Sequence, residues 1–144
     1  MKKNVLLLIL VSFCLSSCKE SPQFHKSHYP EKAEAPFSDA VEANGFLFLS
    51  GQIGMDHNTR ELVDGGIVPE TKQAIENIRE VLELHDSDLS QVIKVSVILK
   101  DIKDFNAFNK VYVTHFTHQP ARTTFAASGL AKDAQIEIEV VAVK

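Results

Sequence analysis

The chain has 144 residues, of which 44% are hydrophobic and 24% are charged, as in an ordinary globular domain. This length allows one domain with a modest core, and a core of that size favours self-association. The formal net charge of −4 offers no general attraction for phosphate backbones, so we expect no nucleic acid partner.

Residues 1–18 have the pattern of an export signal. Lys2 and Lys3 precede an apolar run from Val5 to Val11, which is too short to span a bilayer. The sequence Leu-Ser-Ser-Cys at residues 15–18 resembles the bacterial lipobox, in which the cysteine is acylated and becomes the first mature residue. We therefore expect an exported cell-envelope lipoprotein, on the periplasmic side or at the cell surface, anchored to the membrane through lipid on Cys18. The alternative is an ordinary cleaved signal that leaves Cys18 unmodified.

Residues 19–34 are polar and show little periodicity, so we predict a flexible tether followed by a folded domain over residues 35–144. Cys14 would leave with the signal. The mature chain would then hold one cysteine and could form no internal disulfide.

The first predicted elements are a hairpin and a helix. Asn44-Gly45, a strong hairpin signal, separates the apolar stretches 41–43 and 46–49. A polar loop follows, and Pro69 then opens a helix to about His85 with one apolar stripe. That stripe consists of Ile75, Ile78, Val81 and Leu82.

The second half of the chain predicts a strand, a helix and two further strands. Apolar residues alternate with polar ones from Ile93 to Leu99, which indicates a half-buried strand. Asp101 or Asp104 caps a helix that Pro120 ends. Strands at about 123–127 and 135–143 close the chain. The aromatic stripe of the second helix consists of Phe105, Phe108, Tyr112 and Phe116.

The order β-β-α-β-α-β-β predicts an α+β domain with two helices packed on one face of a mixed sheet. The other face stays uncovered. Ile98, Val141 and Val143 indicate that this face is not wholly polar. We therefore expect self-association through it, most simply as a closed ring.

The last predicted strand places charge beside apolar surface. Residues 136, 138, 140 and 142 point one way, and Glu137 and Glu139 share the other face with two valines. The nearest arginine, Arg122, lies in a different segment. From these residues alone, a salt bridge between Arg122 and one of the acids is the simplest interpretation.

Most of the domain resembles the YjgF/RidA family of imine deaminases, and the matching segments follow one another in the same order along the chain. The most specific part of the resemblance is Pro-Ala-Arg at 120–122 together with Ile-Glu-Ile-Glu at 136–139. The family resemblance implies a chorismate-mutase-like fold and homotrimers whose three sheets form a central barrel, with the sites in clefts between subunits. The other matching segments are 35–41, 49–53, 71–84, 95–105 and 109–112.

The resemblance also implies an activity, the hydrolysis of reactive enamines and imines such as 2-aminoacrylate to 2-oxo acids and ammonia. No metal or cofactor is implied, because an iminium carbon is already electrophilic. Arg122 would bind the substrate carboxylate and Glu137 would activate a water molecule. Further positions that the resemblance places in the site are Phe37, Ser50, Gly51, Asn109, Tyr112 and Thr124.

Two positions depart from the family pattern. Phe37 stands where the family commonly has tyrosine, whose hydroxyl would add a hydrogen bond to the site. Asp39 stands where glutamine is usual. Phe37 favours an alternative in which the same cleft binds a small carboxylate without turning it over.

Two other possibilities remain open but carry less support. An RNA-cleaving or chaperone-like role is attributed to family members, although the acidic charge argues against RNA. The pairs His25/His28 and His115/His118 have a metal-like spacing, but neither has further ligands nearby in the sequence, so we expect no metal site.

Overall fold

The computed structural model describes residues 21–144, so the predicted signal, Cys18 and the first two tether residues lie outside the described part. Within it, no helix is both long and apolar enough to cross a membrane. The α-helices of residues 21–144 are α1, Ile67–Glu83, and α2, Phe105–His115. The strands of the same residues are β1 Gln23–His25, β2 Ala40–Ala43, β3 Phe46–Leu49, β4 Gln52–Ile53, β5 Val92–Leu99, β6 Ala121–Ala126 and β7 Ile136–Val143.

All strands belong to one mixed sheet in the order β1-β2-β3-β7-β5-β6, with β4 also pairing to β7. Strands β5 and β6 are parallel and are joined through α2, whereas the remaining pairs are antiparallel. A parallel pair needs such a crossover, and a helix supplies it while covering the sheet. The predicted α+β architecture is confirmed.

The core lies between the helices and one face of the sheet. The stripe of α1 packs there against alternate residues of β5 and β7, all of them at most 2% exposed. Full burial of each such side chain contributes about 1.5–3 kcal/mol. The residues concerned are Ile75, Ile78, Val81 and Leu82 of α1, Val95, Val97 and Leu99 of β5, and Ile136, Ile138 and Val140 of β7.

The opposite face of the sheet has no covering element in the described part of the chain. Phe46, Phe48, Phe125 and Val143 are 36–48% exposed on it, and the partly buried Ile98 pairs with Phe125. The prediction of a partly apolar bare face is therefore correct. Such a surface on a small protein is typical of an interaction site.

The fold begins before the predicted domain boundary at residue 35. Strand β1 pairs with β2 in the register Phe24 to Val41, and the Tyr29 hydroxyl donates a 2.6 Å hydrogen bond to Glu80 of α1. Residues 23–29 therefore contact the domain directly, although their polar composition predicted a flexible tether. A three-residue edge strand shows no readable alternation, which is why the sequence did not indicate it.

Element ends differ from the prediction in small ways. Helix α1 starts at Ile67, so that Pro69 lies inside its first turn, where a missing N–H costs nothing. Asp101 caps a short 3₁₀ turn just before α2. A register shift between Val92 and Lys94 leaves Ile93 45% exposed, so its predicted place on the buried face of β5 is wrong.

Candidate functional site

Glu137 lies on the uncovered face of the sheet, near the start of β7. It pairs with Ile53 of β4 on one side and with Ile98 of β5 on the other. The side chain is half-buried and forms no ion pair with any residue of 21–144. Burial, and secondarily the charge of Glu139, raise the pKa of the Glu137 carboxyl. A carboxylate held in this way is a stronger base than one in water.

Gly51 allows the Glu137 carboxylate to lie directly against the main chain. It falls in the gap between β3 and β4, which both pair with β7. A Cβ atom at position 51 would come within 2.8 Å of Cδ and 2.9 Å of Cγ of Glu137. These separations are well below normal carbon contact, so a side chain there would displace the carboxylate.

Glu137, Gly51 and Phe37 line one concave region, here called the Glu137 pocket, with a volume of about 550 Å³. Phe37 is 52% exposed at its edge. Three of the positions implied by the family resemblance therefore lie together. The pocket is also lined by Lys32, His57 and Arg60, which the sequence analysis did not single out.

Arg122 lies on the opposite face of the sheet from Glu137. It pairs with Val95, whose side chain is buried beneath the helices, so Arg122 extends toward α2. Its guanidinium lies over the Tyr112 ring at 4.4 Å, and Nη1 donates a 2.9 Å hydrogen bond to Oδ1 of Asn109. A cation–π contact and one hydrogen bond hold the group in place, and within residues 21–144 its other donors have no hydrogen-bond acceptor in another side chain or carbonyl.

Asn109, Tyr112 and Arg122 line a second concave region, here called the Arg122 pocket, of about 400 Å³. Burial raises the pKa of Tyr112, although the nearby Arg122 charge offsets part of this effect. The Tyr112 hydroxyl is buried close to the Arg122 guanidinium. It therefore belongs to the surroundings of Arg122 and is not exposed in the pocket.

Two further predicted positions have different surroundings. Thr124 lies two residues beyond Arg122 on the same side of β6, and its buried hydroxyl has no partner within the described residues. Ser50 is fully used inside the chain, because its hydroxyl donates to the Ser38 carbonyl at 2.7 Å and its N–H to Asp39 at 3.0 Å. Ser50 thus positions Gly51 in this geometry and offers no free donor.

The two pockets cannot act together within one chain. Arg122 of β6 pairs with Val95 of β5, which in turn pairs with Val140 of β7. Arg122 is therefore two strands away from β7, at the level of a residue three positions beyond Glu137. Ordinary sheet spacings place their Cα atoms roughly 14 Å apart, on opposite faces. No salt bridge joins Arg122 to Glu137 or Glu139 within residues 21–144, so the simplest sequence interpretation does not hold inside one chain.

The histidine pairs have other partners in the described part. His28 contacts Glu80 at 3.0 Å, and His118 lies 2.7 Å from the Val92 carbonyl. His25 packs on His85 with ring centroids 4.2 Å apart. Within residues 21–144, no three His, Cys, Asp or Glu side chains form a group suited to a metal ion.

Comparison with known proteins gives consistent matches over almost the whole domain. Residues 27–144 match the family model described as Endoribonuclease L-PSP. A RutC family protein of Pyrococcus horikoshii is 46% identical over 114 residues, covering 78% of this chain and 90% of that protein. The human 2-iminobutanoate/2-iminopropanoate deaminase is 42% identical over 113 residues, covering 78% and 82%. A solved structure of a Rid family protein from Yersinia pestis has a TM-score of 0.80 at 31% identity, covering 86% of this chain and all of that one.

Proposed function

The chain belongs to the YjgF/RidA family, the family of the Endoribonuclease L-PSP model, and on this basis we propose that it hydrolyses small 2-imino acids to 2-oxo acids and ammonia. The observation that supports this proposal is the presence of two prepared half-sites, one basic and one acidic. Each holds a charged group without a salt-bridge partner in residues 21–144.

Arg122 binds the substrate carboxylate in the proposed reaction. Its planar fork matches the two carboxylate oxygens, and a lysine would offer only a point charge. Asn109 and the Tyr112 ring fix the guanidinium before the substrate arrives, so little side-chain entropy is lost on binding. Thr124 lies on the same side of β6, and its hydroxyl has no partner among residues 21–144.

Glu137 acts as the general base. It takes a proton from water as the water oxygen bonds to the iminium carbon, which gives a carbinolamine. The same carboxyl then returns the proton to nitrogen. As the carbon–nitrogen bond breaks and ammonia leaves, the carboxylate takes the proton of the carbinolamine hydroxyl, whose oxygen becomes the carbonyl oxygen of the 2-oxo acid. The raised pKa of Glu137 suits a group that must both accept and donate a proton in one cycle.

The complete site forms between copies of the chain in this proposal. A small 2-imino acid is much shorter than the separation of Arg122 and Glu137 in one chain, and the sheet lies between them. Arg122 of one copy therefore meets Glu137 of the next, with the uncovered apolar face providing the contact. A head-to-tail contact that closes on itself gives a ring, and we propose a homotrimer.

The test uses soluble protein that starts after Cys18 and imines generated in the assay by an amino-acid oxidase. Wild type is expected to release ammonia faster than buffer, whereas Arg122→Ala and Glu137→Gln are expected to lose this acceleration. Glu83→Gln is the control for loss of an acidic side chain, because Glu83 is exposed on α1 and lines neither pocket. If folded wild-type protein does not exceed buffer, the hydrolase proposal fails and the carboxylate-binding alternative replaces it.

We also propose that the protein is exported and held at the membrane through Cys18, which is outside the described residues. The support is the sequence pattern of residues 1–18 alone. In the full-length protein, Cys18→Ser is expected to move the chain from the membrane fraction to the soluble fraction. A distribution identical to that of wild type would contradict lipid attachment.

A further inference from the structure

The Glu137 pocket contains basic side chains that the proposed reaction does not use. Lys32, Arg60 and His57 line the same 550 Å³ region as Glu137 and Gly51. The side chain of Lys32 is only 11% exposed and that of His57 only 4%. Burying cations costs free energy, so their presence in a pocket calls for an anion.

Within residues 21–144, Arg60 forms no ion pair, and its Nη1 atom is buried without a hydrogen-bond partner. Its backbone has a φ of 63°, a left-handed conformation that an arginine rarely adopts. The unsatisfied donor has a cost in the chain alone, and an anion that accepts a hydrogen bond from Arg60 would recover part of that cost.

Lys32 is only partly compensated. Its Nζ is 3.8 Å from Oδ1 of the buried Asp39 and 3.3 Å from Nε2 of His57. Burial lowers the pKa of Lys32, with Asp39 opposing the shift and Arg60 adding to it. Burial likewise lowers the pKa of His57, with a further contribution from Lys32. Glu80, with Oε2 3.6 Å from Nδ1 of His57, adds a second negative charge beside Asp39. Arg60 is therefore the cation of this group that has no acidic partner within the described part of the chain.

The acids that share the pocket lie elsewhere in it. Glu31 and Glu34 are exposed at its solvent side, where their charges are screened. Glu137 is half-buried beside Gly51 and is required for water activation in the proposed reaction. The pocket thus presents a cationic side and a catalytic side to one ligand.

We propose that Lys32 and Arg60 form a subsite for a second anionic group, so that the preferred substrates are 2-imino acids carrying a side-chain carboxylate. This proposal rests on the function proposed above. The α-carboxylate would be bound by Arg122 of the neighbouring copy, and the side-chain carboxylate would lie against Arg60 and Lys32. Hydrolysis is unchanged: water adds to the imine carbon, the carbon–nitrogen bond breaks, and a 2-oxo dicarboxylic acid and ammonia are released.

The test has a catalytic arm and a binding arm. The catalytic arm compares kcat/KM for the imines of aspartate or glutamate with that for the imine of 2-aminobutanoate. The binding arm measures Kd for 2-oxoglutarate and for 2-oxobutanoate by calorimetry, which needs no turnover. We expect a preference for the dicarboxylic compound of at least about tenfold in both arms, equivalent to about 1.4 kcal/mol.

Arg60→Gln is the informative variant, because Arg60 supports no ion pair that holds the described fold together. It is expected to reduce the dicarboxylate preference at least about fivefold, through loss of a charge-assisted hydrogen bond. Lys32→Gln combined with Asp39→Asn removes the neighbouring pair without leaving one charge buried alone, and is expected to act in the same direction. Lys103→Gln, at a side chain 86% exposed, controls for overall charge and is expected to change neither ratio.

The outcomes separate this proposal from the proposed function. Hydrolysis of the monocarboxylic imine without any dicarboxylate preference would overturn the subsite and leave the deaminase intact. The protein could also hydrolyse neither imine and still bind the dicarboxylic compound selectively, with Arg60→Gln abolishing that selectivity. This result would support the subsite and contradict the proposed deaminase activity. Equal binding of both 2-oxo acids to wild type and Arg60→Gln would overturn the subsite whatever the activity.

Discussion

Replacing Gly51 with alanine is expected to separate activity from stability. The added methyl group would lie 2.8 Å from Cδ and 2.9 Å from Cγ of Glu137, whereas unstrained carbon atoms stay about 3.5–4.0 Å apart. The carboxyl group must therefore move by about 1 Å. It can do so at little cost to the fold, because it is the end of a half-exposed, flexible side chain.

A displacement of this size is large for catalysis. A 1 Å misplacement of a reacting group can reduce the rate about 100-fold, and we expect kcat of Gly51→Ala to fall by about that factor. Stability should stay the same or rise by up to about 1 kcal/mol, because alanine restricts the unfolded chain more than glycine does. The measurements are ammonia release from an imine and the thermal unfolding midpoint of the same sample.

Gly129→Ala is the matched control, because a Cβ atom at position 129 would have no other atom within 4 Å. It should keep wild-type activity and show the same small gain in stability of up to about 1 kcal/mol. Wild-type activity in Gly51→Ala would contradict a catalytic role for the position of the Glu137 carboxylate against the main chain. A fall in activity matched by a large loss of stability would equally contradict it.

Three further predictions concern stability and pH dependence. Gly54→Ala should lower the free energy of unfolding in urea by about 1–3 kcal/mol. The added methyl group would lie 2.5 Å from Cα of Glu70, a helix backbone atom that cannot move aside. Unchanged stability would contradict this packing. Glu139→Gln should shift the acidic limb of the pH–rate profile to lower pH. Removing the Glu139 charge lowers the raised pKa of Glu137, so the base stays ionised in more acidic solution. A limb that stays in place would exclude Glu137 as the titrating base. Burial first, and then a hydrogen bond to a carboxylate, raise the pKa of Tyr29 from 10.0 to about 12, so its contribution to stability is complete below pH 10 and is lost as the pH rises toward 12. Urea unfolding from pH 9 to 12 should show this loss in wild type and less of it in Tyr29→Phe, and equal slopes would contradict the assignment.

The sequence predicted most of the fold because its strongest signals are local and periodic. The stripe of α1 and the alternation in β7 each specify one buried face, and both are found buried. Strand β4 was missed because two residues show no period, and the bulge that exposes Ile93 is set by pairing with β7, a contact distant in sequence.

The sequence predicted which residues belong to the candidate site, but not how they are arranged in space. The resemblance to the family identified Arg122 and Glu137 as site residues. Alternation along β6 and β7 separates the two faces of each strand, but it does not show which face of β6 lies on the same side of the sheet as which face of β7. The pairings of Arg122 with Val95 and of Glu137 with Ile98 were needed to place them on opposite faces. No local pattern marks Lys32 or Arg60, because their importance comes from burial in a pocket formed by separate loops.

Mixing two inactive variants shows whether Arg122 and Glu137 of adjacent copies share one site. Arg122→Ala and Glu137→Gln should each be inactive alone, because every site in either assembly lacks one group. If Arg122 and Glu137 of adjacent copies form each site, equal co-assembly restores both groups in one site in four, and activity should recover to about a quarter of wild type. If the mixture stays inactive although mass spectrometry shows that both variants occur in the same assembly, Arg122 and Glu137 do not form a shared site between copies.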